Sequence, residues 1–426
     1  MRNTTAGRKV RLCAATLALL FLPVSAYSAE AGANTPTGRP AWTSTWAAAA
    51  QQPASGLFHP NWSLRGFSDN SVRQVIRTST GGSDTRIRLA NIYTGKPLTV
   101  SAASIGEAAT GAAVVPGSTR EITFSGRRDV VIPPGRQVTS DPIGLPAAAM
   151  SRLAITLYFR RPTGPVDLHA ESSATSYLAS GDQRSDESGA TFGETTMSWY
   201  LLAAVETRRA PGKPNGGIVA FGDSITDGVQ STVDADNRYP DQLAERLASS
   251  RTTRPVLNSG IGGNRVVRDS SCFGEKATSR LARDVLAHDG VRTAIVQEGI
   301  NDIGHSEFPF PPCIMPGPPV TADQLIDRHR KIVGTLRANG IRVLGGTLLP
   351  YQGSFYYTEA GDRVRHEFNH WMRTSGAYDA VIDFDAALAD PANRDRLDPR
   401  YDSGDRLHPN DAGYQAMADA IDLDLL

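Results

Sequence analysis

The pattern of apolar residues changes near residue 216, and this change constrains the fold more than any other feature of the sequence. From about 41 to 208, apolar and polar residues alternate, as in the run from Leu153 to Phe159. From 217 onward, short apolar runs such as Ile218-Val-Ala-Phe221 are each followed by a helical pattern. Alternation predicts half-buried strands, whereas apolar runs separated by helices predict a parallel sheet covered on both faces.

We therefore predict two domains joined by a linker at 209–216. Residues 41–208 are expected to form a β-sandwich or jelly-roll, because glycine and proline clusters separate the predicted strands. Residues 217–426 are expected to form a doubly wound α/β domain, whose reactive groups lie at the carboxyl ends of its strands. Its predicted strands are 218–221, 255–257, 294–296, 341–344 and 380–384, and its predicted helices are 241–249, 278–287, 322–338, 361–375 and 411–426.

The first 29 residues have the pattern of a secretory signal peptide. A basic stretch with Arg8, Lys9 and Arg11 precedes an apolar segment at 12–22 and then small residues, with possible cleavage after residue 26, 28 or 29. The apolar segment is too short to span a membrane. We expect the mature protein to be secreted or periplasmic.

Composition narrows the classes of function. Lysine plus arginine and aspartate plus glutamate number 44 each, and the chain beyond the predicted leader holds 40 basic and 44 acidic residues. This balance gives no electrostatic reason to bind nucleic acid.

Two cysteines, Cys272 and Cys313, remain after the leader, and an oxidising compartment favours a disulfide between them, with two free thiols as the alternative.

A serine follows the first predicted strand of the second domain. Ser224 lies in the turn Phe221-Gly-Asp-Ser-Ile-Thr-Asp-Gly228, where a strand gives way to a helix. The turn differs from the Gly-x-Ser-x-Gly elbow, because Thr226 occupies the position of the last glycine. Ser224 is therefore a candidate nucleophile, and the alternative is a serine that only caps the next helix.

Possible hydrogen-bond donors follow the next two strands. Asn258-Ser-Gly-Ile-Gly-Gly-Asn264 contains glycines whose N–H groups can approach a ligand closely, and Asn301 offers a side-chain amide after the third strand. A plain turn would explain either segment equally well.

Near the C-terminus, Asp405 precedes His408 by three residues, so the carboxylate can orient the imidazole. Asp402 is a possible alternative to Asp405.

The four elements together closely resemble the motif blocks of the GDSL or SGNH hydrolase family. The matching segments are 222–225, 258–264, 299–302 and 405–408, and the likeness covers about 216–426. It implies a flavodoxin-like three-layer fold, with Ser224 as nucleophile, His408 as general base and Asp405 as its partner. It also implies an oxyanion hole made by the backbone of Ser224 and Gly263 and the side chain of Asn301, without a metal or other cofactor.

The resemblance also points to substrates. The chain's similarity to secreted bacterial members with an N-terminal β-domain implies a short-chain ester, such as an acetyl group on a polysaccharide, with longer acyl chains as the alternative. The sequence leaves the oligomeric state open. A Cys272–Cys313 bridge is expected to fix one wall of the crevice.

Two other interpretations compete. His366-Glu-Phe-Asn-His370 matches the zincin motif, but Arg373 replaces the glycine that a metzincin would have next, and no third ligand is obvious. Trp42, Trp46 and Trp62 could instead indicate a non-catalytic carbohydrate-binding protein, although tryptophans at such positions are more often part of a core. Glu298 lacks a second carboxylate that would make it a glycosidase acid.

Overall fold

The structure is a computed structural model that describes residues 1–2, 42–56, 58–209, 216–250, 252–315 and 317–426. The predicted signal peptide beyond residue 2, and the predicted linker between 210 and 215, lie outside the described residues. From Trp42 onward the chain forms one compact unit. The predicted domain boundary thus stays a prediction, and we use "antiparallel region" for 42–208 and "parallel-sheet region" for 217–426.

The antiparallel region is a β-sandwich, as predicted. Its strands form one sheet in the order β1-β14-β3-β8 and a second in the order β12-β11-β2-β9-β5-β6. Side chains of both sheets, among them Leu89 and Leu157, share one hydrophobic core. The strands β1 to β14 are Trp42–Ala47, Asn70–Arg77, Thr85–Asn91, Leu98–Val100, Ala102–Glu107, Arg120–Ile122, Val130–Ile132, Arg136–Thr139, Arg152–Phe159, Leu168–His169, Ser176–Ser180, Glu194–Thr196, Trp199–Tyr200 and Leu202–Arg208.

The three tryptophans near the start of this region do not form an exposed binding platform. Trp46 and Trp62 are buried in the sandwich core. The Trp42 ring packs against the guanidinium groups of Arg86 and Arg208, at 4.4 and 5.1 Å from their carbon atoms. These contacts give the tryptophans a structural role and remove the observation that motivated a carbohydrate-binding protein.

The parallel-sheet region contains five parallel strands in the order β16-β15-β17-β18-β19. This is the flavodoxin-like order, in which the chain leaves the first strand toward one edge and returns toward the other. The five strands β15 to β19 are Gly217–Gly222, Val256–Gly260, Val291–Gln297, Arg342–Gly346 and Ala380–Ile382, and a small hairpin follows, with β20 at Ala389–Asp390 and β21 at Asn393–Leu397. The polar segments after β15, β16 and β17 therefore meet at one edge of the sheet.

The helices pack in two groups, one containing α2, α7 and α8 and the other containing α3 to α6. Right-handed crossovers place these groups on opposite faces of the sheet, because the connections run in opposite directions from β15. The helices α1 to α8 are Ser224–Asp227, Tyr239–Ser249, Ala277–Leu281, Ile300–Glu307, Ala322–Ala338, Glu359–Thr374, Phe384–Leu388 and Asp411–Asp419; a π-helical turn, Ala282–Leu286, continues α3, and a 3-10 turn occupies Leu423–Leu425. No helix among the described residues has the length and apolarity required to cross a bilayer.

Helix and strand ends follow local capping chemistry. Helix α5 has the predicted bounds, because Thr321 and Gln324 form a capping box at its start. The last strand is shorter than predicted: Asp383 accepts a hydrogen bond from the Ala386 N–H and starts α7 instead. The last helix also ends earlier than predicted, at Asp419, and Asp422 caps the separate 3-10 turn that follows.

A disulfide joins Cys272 and Cys313, so the predicted bridge is present. It links the loop after β16 to the loop after α4, and its Cα atoms lie 5.1 Å apart. Phe273, Cys313 and Ile314 form a small buried cluster beside it. The bridge closes a loop with a sequence separation of 41 residues.

We expect the double variant Cys272→Ser/Cys313→Ser to lower the free energy of unfolding by about 2 to 4 kcal/mol, because the unfolded chain regains the entropy of the open loop. Urea denaturation followed by circular dichroism measures this change. Dithiothreitol should destabilise the parental protein by a similar amount and leave the double variant unchanged. Equal stability of the two proteins without reductant would contradict the expectation.

Candidate active site

Ser224 begins α1 directly after β15. A β-carbon added to Gly222 would lie 2.1 Å from Thr226 Oγ1 and 2.5 Å from a backbone oxygen of β17, so only glycine fits this tight turn. The Asp223 side chain accepts a hydrogen bond from the Ile225 N–H at 3.0 Å and caps the helix. The cap is thus Asp223, which leaves the Ser224 hydroxyl free for another contact.

His408 provides that contact. Its Nε2 lies 2.8 Å from Ser224 Oγ, although the two residues are 184 positions apart. His408 Nδ1 lies 2.6 Å from Asp405 Oδ2. The other oxygen, Asp405 Oδ1, accepts hydrogen bonds from the backbone N–H groups of Leu407 and His408, both at 2.8 Å. The structure therefore brings together the three residues that the sequence singled out as a serine, a base and an orienting carboxylate.

Asp405 is suited to remain ionised. Burial acts to raise the pKa of Asp405, but hydrogen bonds from the side chain and backbone of His408 outweigh burial and lower this pKa to about 2. The alternative carboxylate, Asp402, has a different role: it accepts hydrogen bonds from the N–H groups of Gly404 and Arg406 and pairs with the Arg406 guanidinium at 2.7 Å. Asp402 shapes the turn, and Asp405 contacts the imidazole.

The glycine loop after β16 lies beside Ser224. Gly263 has a φ of +73°, and a β-carbon added to it would lie 2.5 Å from the Phe273 ring, so glycine is required on both grounds. The Gly262 N–H donates to Asp227 Oδ2 at 3.0 Å, which ties the loop to α1. Gly263 and Ser224 line the same cavity.

Asn301 lines this cavity at the start of α4. Its Oδ1 accepts a hydrogen bond from the Tyr356 hydroxyl at 3.2 Å, and the Tyr356 oxygen lies 2.7 Å from His305 Nε2. The other amide atom, Asn301 Nδ2, is buried and has no hydrogen-bond partner among the described residues. Burial lowers the pKa of His305 to about 4, so the imidazole is neutral and can donate to Tyr356. Tyr356 fixes the amide with its donor unoccupied.

Arg280 lies beneath the site and is fully buried. Each of its five N–H groups makes a hydrogen bond, at distances between 2.7 and 3.2 Å. Its acceptors are the backbone oxygens of Gly222 and Ser259 and the side chains of Asn264, Asp284 and Glu298. The guanidinium also stacks over the Phe221 ring at 4.0 Å. One side chain therefore holds together the carboxyl ends of three neighbouring strands.

Besides Asp284, which accepts a hydrogen bond from Arg280, three further buried carboxyl groups lie in this part of the site. Burial raises the pKa of Glu298 well above its usual value, and the nearby Asp223 raises it further. Burial also raises the pKa of Asp223, and it raises that of Asp302 to about 6 despite hydrogen bonds from Val266 and Val267. Glu298 is fully buried and bound to Arg280, so it is not placed as a glycosidase acid.

The cavity above Ser224 has a volume of about 310 Å³, within the usual range of small-molecule sites. Both regions of the chain line it. The antiparallel region contributes Phe58, His59, Glu171, Ser173 and Met197, and the apolar part of the parallel-sheet wall includes Val229, Val233, Phe273, Phe355 and Leu407. The wall expected beside the Cys272–Cys313 bridge, to which Phe273 belongs, is therefore only part of the cavity lining.

A buried contact connects the two regions close to the nucleophile. His169, at the end of β10, places Nε2 at 2.9 Å from Asp227 Oδ1 and Nδ1 at 3.0 Å from the Ala49 oxygen. Asp227 Oδ2 accepts the Gly262 N–H. The antiparallel region thus reaches the glycine loop through a single carboxylate.

The zincin-like motif lies on α6, away from this arrangement. His366 and His370 are both exposed, and only His366 belongs to a cluster with Asp362 and Asp395 among the described residues. The Arg365 guanidinium already binds both carboxylates of that cluster, at 2.7 and 3.1 Å. The positive charge of Arg365 would repel a zinc ion bound to the same two carboxylates, so these residues do not fit a zinc site.

Several residues of the site were not identified from the sequence. Arg280 had no distinguishing feature, because a charged residue in a predicted helix is usually solvated. Tyr356 and Glu171 lie in loops, and His169 is one of eight histidines. Of these residues, only a partner such as Tyr356 could have been anticipated from the sequence, because the Asn301 amide requires a hydrogen-bond partner to fix its orientation.

We expect Arg280→Met to lower the free energy of unfolding by about 3 to 5 kcal/mol, because the buried carboxyl and carbonyl groups lose their donors. The matched control is Arg292→Met, since Arg292 is exposed on β17. Urea denaturation of both variants measures the difference. Equal stability of the two variants would show that Arg280 does not hold the strand ends together.

The chain was compared with known proteins. Residues 220–416 match the model of the GDSL-like Lipase/Acylhydrolase family, and no curated protein matches the chain. Similar solved structures include a G-D-S-L family protein from Desulfitobacterium hafniense DCB-2 (22% identity, 48% of this chain, 97% of that chain, TM-score 0.36). The acetyl xylan esterase AlAXEase is 23% identical, with 48% of this chain and 96% of that chain covered and a TM-score of 0.37. An acetyl xylan esterase from Geobacillus stearothermophilus is 20% identical, with 49% of this chain and 93% of that chain covered and a TM-score of 0.38. Residues 220–416 thus match a GDSL-like lipase/acylhydrolase domain, and this match supports a carboxylic ester hydrolase.

Proposed function

We propose that the protein is a secreted serine esterase that uses Ser224, His408 and Asp405 to form and hydrolyse an acyl-enzyme. The observation that carries the proposal is the 2.8 Å contact between Ser224 Oγ and His408 Nε2, with Asp405 on the other imidazole nitrogen. A hydroxyl in this position can lose its proton to the imidazole as it attacks a carbonyl.

In the first half of the reaction, His408 Nε2 takes the Ser224 proton and Oγ bonds to the ester carbonyl carbon. The carbonyl oxygen becomes an oxyanion in the tetrahedral intermediate. The bond from carbon to the alcohol oxygen then breaks, and His408 gives its proton to the departing alcohol. The acyl group remains on Ser224.

In the second half, water replaces the alcohol. His408 takes a proton from the water as its oxygen attacks the acyl carbon, and a second oxyanion forms. The bond to Ser224 Oγ breaks, the proton returns to Oγ, and the carboxylic acid leaves. Asp405 stays ionised throughout and stabilises the imidazolium.

Three donors are suited to stabilise the oxyanion. They are the backbone N–H groups of Ser224 and Gly263 and the side-chain Nδ2 of Asn301. The unsatisfied, buried Asn301 Nδ2 supports this role, because buried donors normally have a partner and a bound oxyanion would provide one. Tyr356 is a positioning residue that holds the Asn301 amide in this orientation.

Two substrate classes remain candidates. Short acyl groups, such as acetyl on a polysaccharide, are our first choice, and the polar side chains on the antiparallel wall favour a hydroxylated alcohol. Longer acyl chains are the second, and the apolar side chains Val229, Val233 and Leu407 in a cavity of about 310 Å³ favour them. Secretion is supported by the leader-like sequence and by the disulfide, which forms in oxidising compartments.

We expect the parental protein to hydrolyse acetyl, butyryl and octanoyl esters of one alcohol at different rates, with the fastest turnover on acetyl. Ser224→Ala should reduce turnover of all three by about 10⁴-fold or more, because it removes the nucleophile. Thermal unfolding of Ser224→Ala checks that the fold is retained. A maximum at octanoyl would select the long-chain candidate, and activity retained in Ser224→Ala would exclude the mechanism.

We expect Asn301→Ala to lower kcat by about 10² to 10³-fold, because one oxyanion donor is lost. Tyr356→Phe should lower kcat by about 3 to 10-fold with little change in KM, because the amide remains but loses the hydrogen bond that orients it. Steady-state kinetics on an acetyl ester measures both. Tyr357→Phe is the matched control for Tyr356→Phe, and equal kinetics of these two variants would refute the positioning role.

A further inference from the structure

Glu171 of the antiparallel region faces the cavity next to the glycine loop. Its Cγ lies 3.3 Å from the position that a β-carbon would take on Gly262, the neighbour of Gly263. The side chain is only 14% exposed, and it lines the same cavity as Ser224. A carboxyl group therefore lies in the wall of the site, although none of the proposed steps of ester hydrolysis uses it.

This carboxyl group has no hydrogen bond to a described residue. Glu171 Oε2 lies 3.6 Å from His59 Nε2, close enough for an ion pair if both groups are charged but beyond hydrogen-bond distance. The neighbouring Asp227 is fully satisfied by comparison, with one oxygen bound to His169 and the other to the Gly262 N–H. Largely buried polar groups normally have partners, so an unpartnered one that faces a substrate cavity indicates a ligand contact.

The charge states of Glu171 and His59 indicate the chemistry of that ligand. Burial raises the pKa of Glu171 to about 8, and the adjacent Asp227 carboxylate contributes. Burial lowers the pKa of His59. Near neutral pH both groups are therefore uncharged, and each can donate one hydrogen bond and accept another. Hydroxyl groups have the same dual capacity, whereas a cationic ligand would require an ionised carboxylate.

Aromatic rings line the same cavity as Glu171 and His59. Phe58 and Phe355 line the cavity and are 66% and 63% exposed, which is unusual for large apolar side chains. Phe58 stacks on Phe273 with ring centroids 6.4 Å apart, so one of its faces is turned toward Phe273 and much of the ring stays exposed. A sugar ring combines an apolar face with hydroxyl groups at its edge. Such a ring complements aromatic faces beside a neutral acid and a neutral imidazole.

We propose that Glu171 and His59 form a subsite that binds the hydroxyl groups on the alcohol side of the ester, and that this alcohol is a sugar or similar cyclic polyol. The proposal rests on the proposed esterase function. The alcohol side is favoured because His59 and Phe58 are partly exposed at the cavity mouth, where a polymer could continue into solvent, whereas a short acyl group needs no exit. The antiparallel region thereby determines the substrate.

The test compares two acetate esters of similar ring size. One is monoacetylated methyl xyloside, which carries hydroxyl groups, and the other is cyclohexyl acetate, which carries none. We expect Glu171→Leu to lower kcat/KM for the xyloside by about tenfold, mainly through KM, and to change kcat/KM for cyclohexyl acetate less than twofold. Glu171→Gln keeps a donor and an acceptor, so it should retain most of the activity on the xyloside.

Controls separate the possible failures. Glu107→Gln, an exposed carboxyl at the end of β5, should behave like the parental protein. Equal losses on both esters in Glu171→Leu, or no loss on either, would overturn the subsite. Faster hydrolysis of acetylcholine than of the xyloside, abolished in Glu171→Gln, would also overturn it, because this indicates an ionised carboxylate that binds a cation. A parental protein inactive on both acetates and also on the butyryl and octanoyl esters would instead refute the esterase function itself.

Discussion

The geometry of the site depends on the burial of one positive charge at the carboxyl edge of the parallel sheet. Arg280 uses every N–H group it has, and its acceptors belong to the ends of β15 and β16, to Asn264 and to the residue after β17. A buried guanidinium is costly unless all its donors are satisfied, so the surrounding loops have little freedom to move relative to one another. Asn264 also restricts the following loop, because its amide donates hydrogen bonds to the backbone oxygens of Phe273 and Glu275. The loop that holds Gly263 is thus fixed from beneath.

The same loop is fixed from above by the antiparallel region. Asp227 is buried and needs partners for both oxygens; His169 supplies one and Gly262 the other. Further contacts, such as Arg77 with Glu245 at 2.6 Å, extend this interface beyond the site. The sandwich consequently contributes side chains to the wall of the site. This explains why one wall of the cavity comes from a region that lacks every motif of the family.

The predicted site residues that the structure brings together share a physical reason for their proximity. Ser224, Gly263 and Asn301 follow successive parallel strands, and the topology of such a sheet brings strand ends together whatever the intervening loops contain. His408 could be placed because it precedes the last helix. Glu171 could not, because alternation identifies strands without showing which loop of a sandwich faces another region. The last strand and last helix were overextended for a local reason, since Asp383 and Asp422 each cap a new turn where the apolar pattern alone would continue.

The buried carboxyl groups beneath Ser224 raise an electrostatic question, because the proposed reaction creates a negative charge directly above them. Ionised groups at Asp223, Glu298 and Asp302 would oppose an oxyanion. Burial raises the pKa of all three, which increases their neutral fractions. The pKa of about 6 still leaves Asp302 largely ionised near neutral pH, and Arg280 supplies a positive charge that offsets the remaining negative charge. Asp405 has the opposite environment, where hydrogen bonds keep it ionised beside the imidazole that must become positive. Burial and hydrogen bonding thus act in opposite directions on these carboxyl groups, and the carboxylate that hydrogen bonds keep ionised lies next to His408.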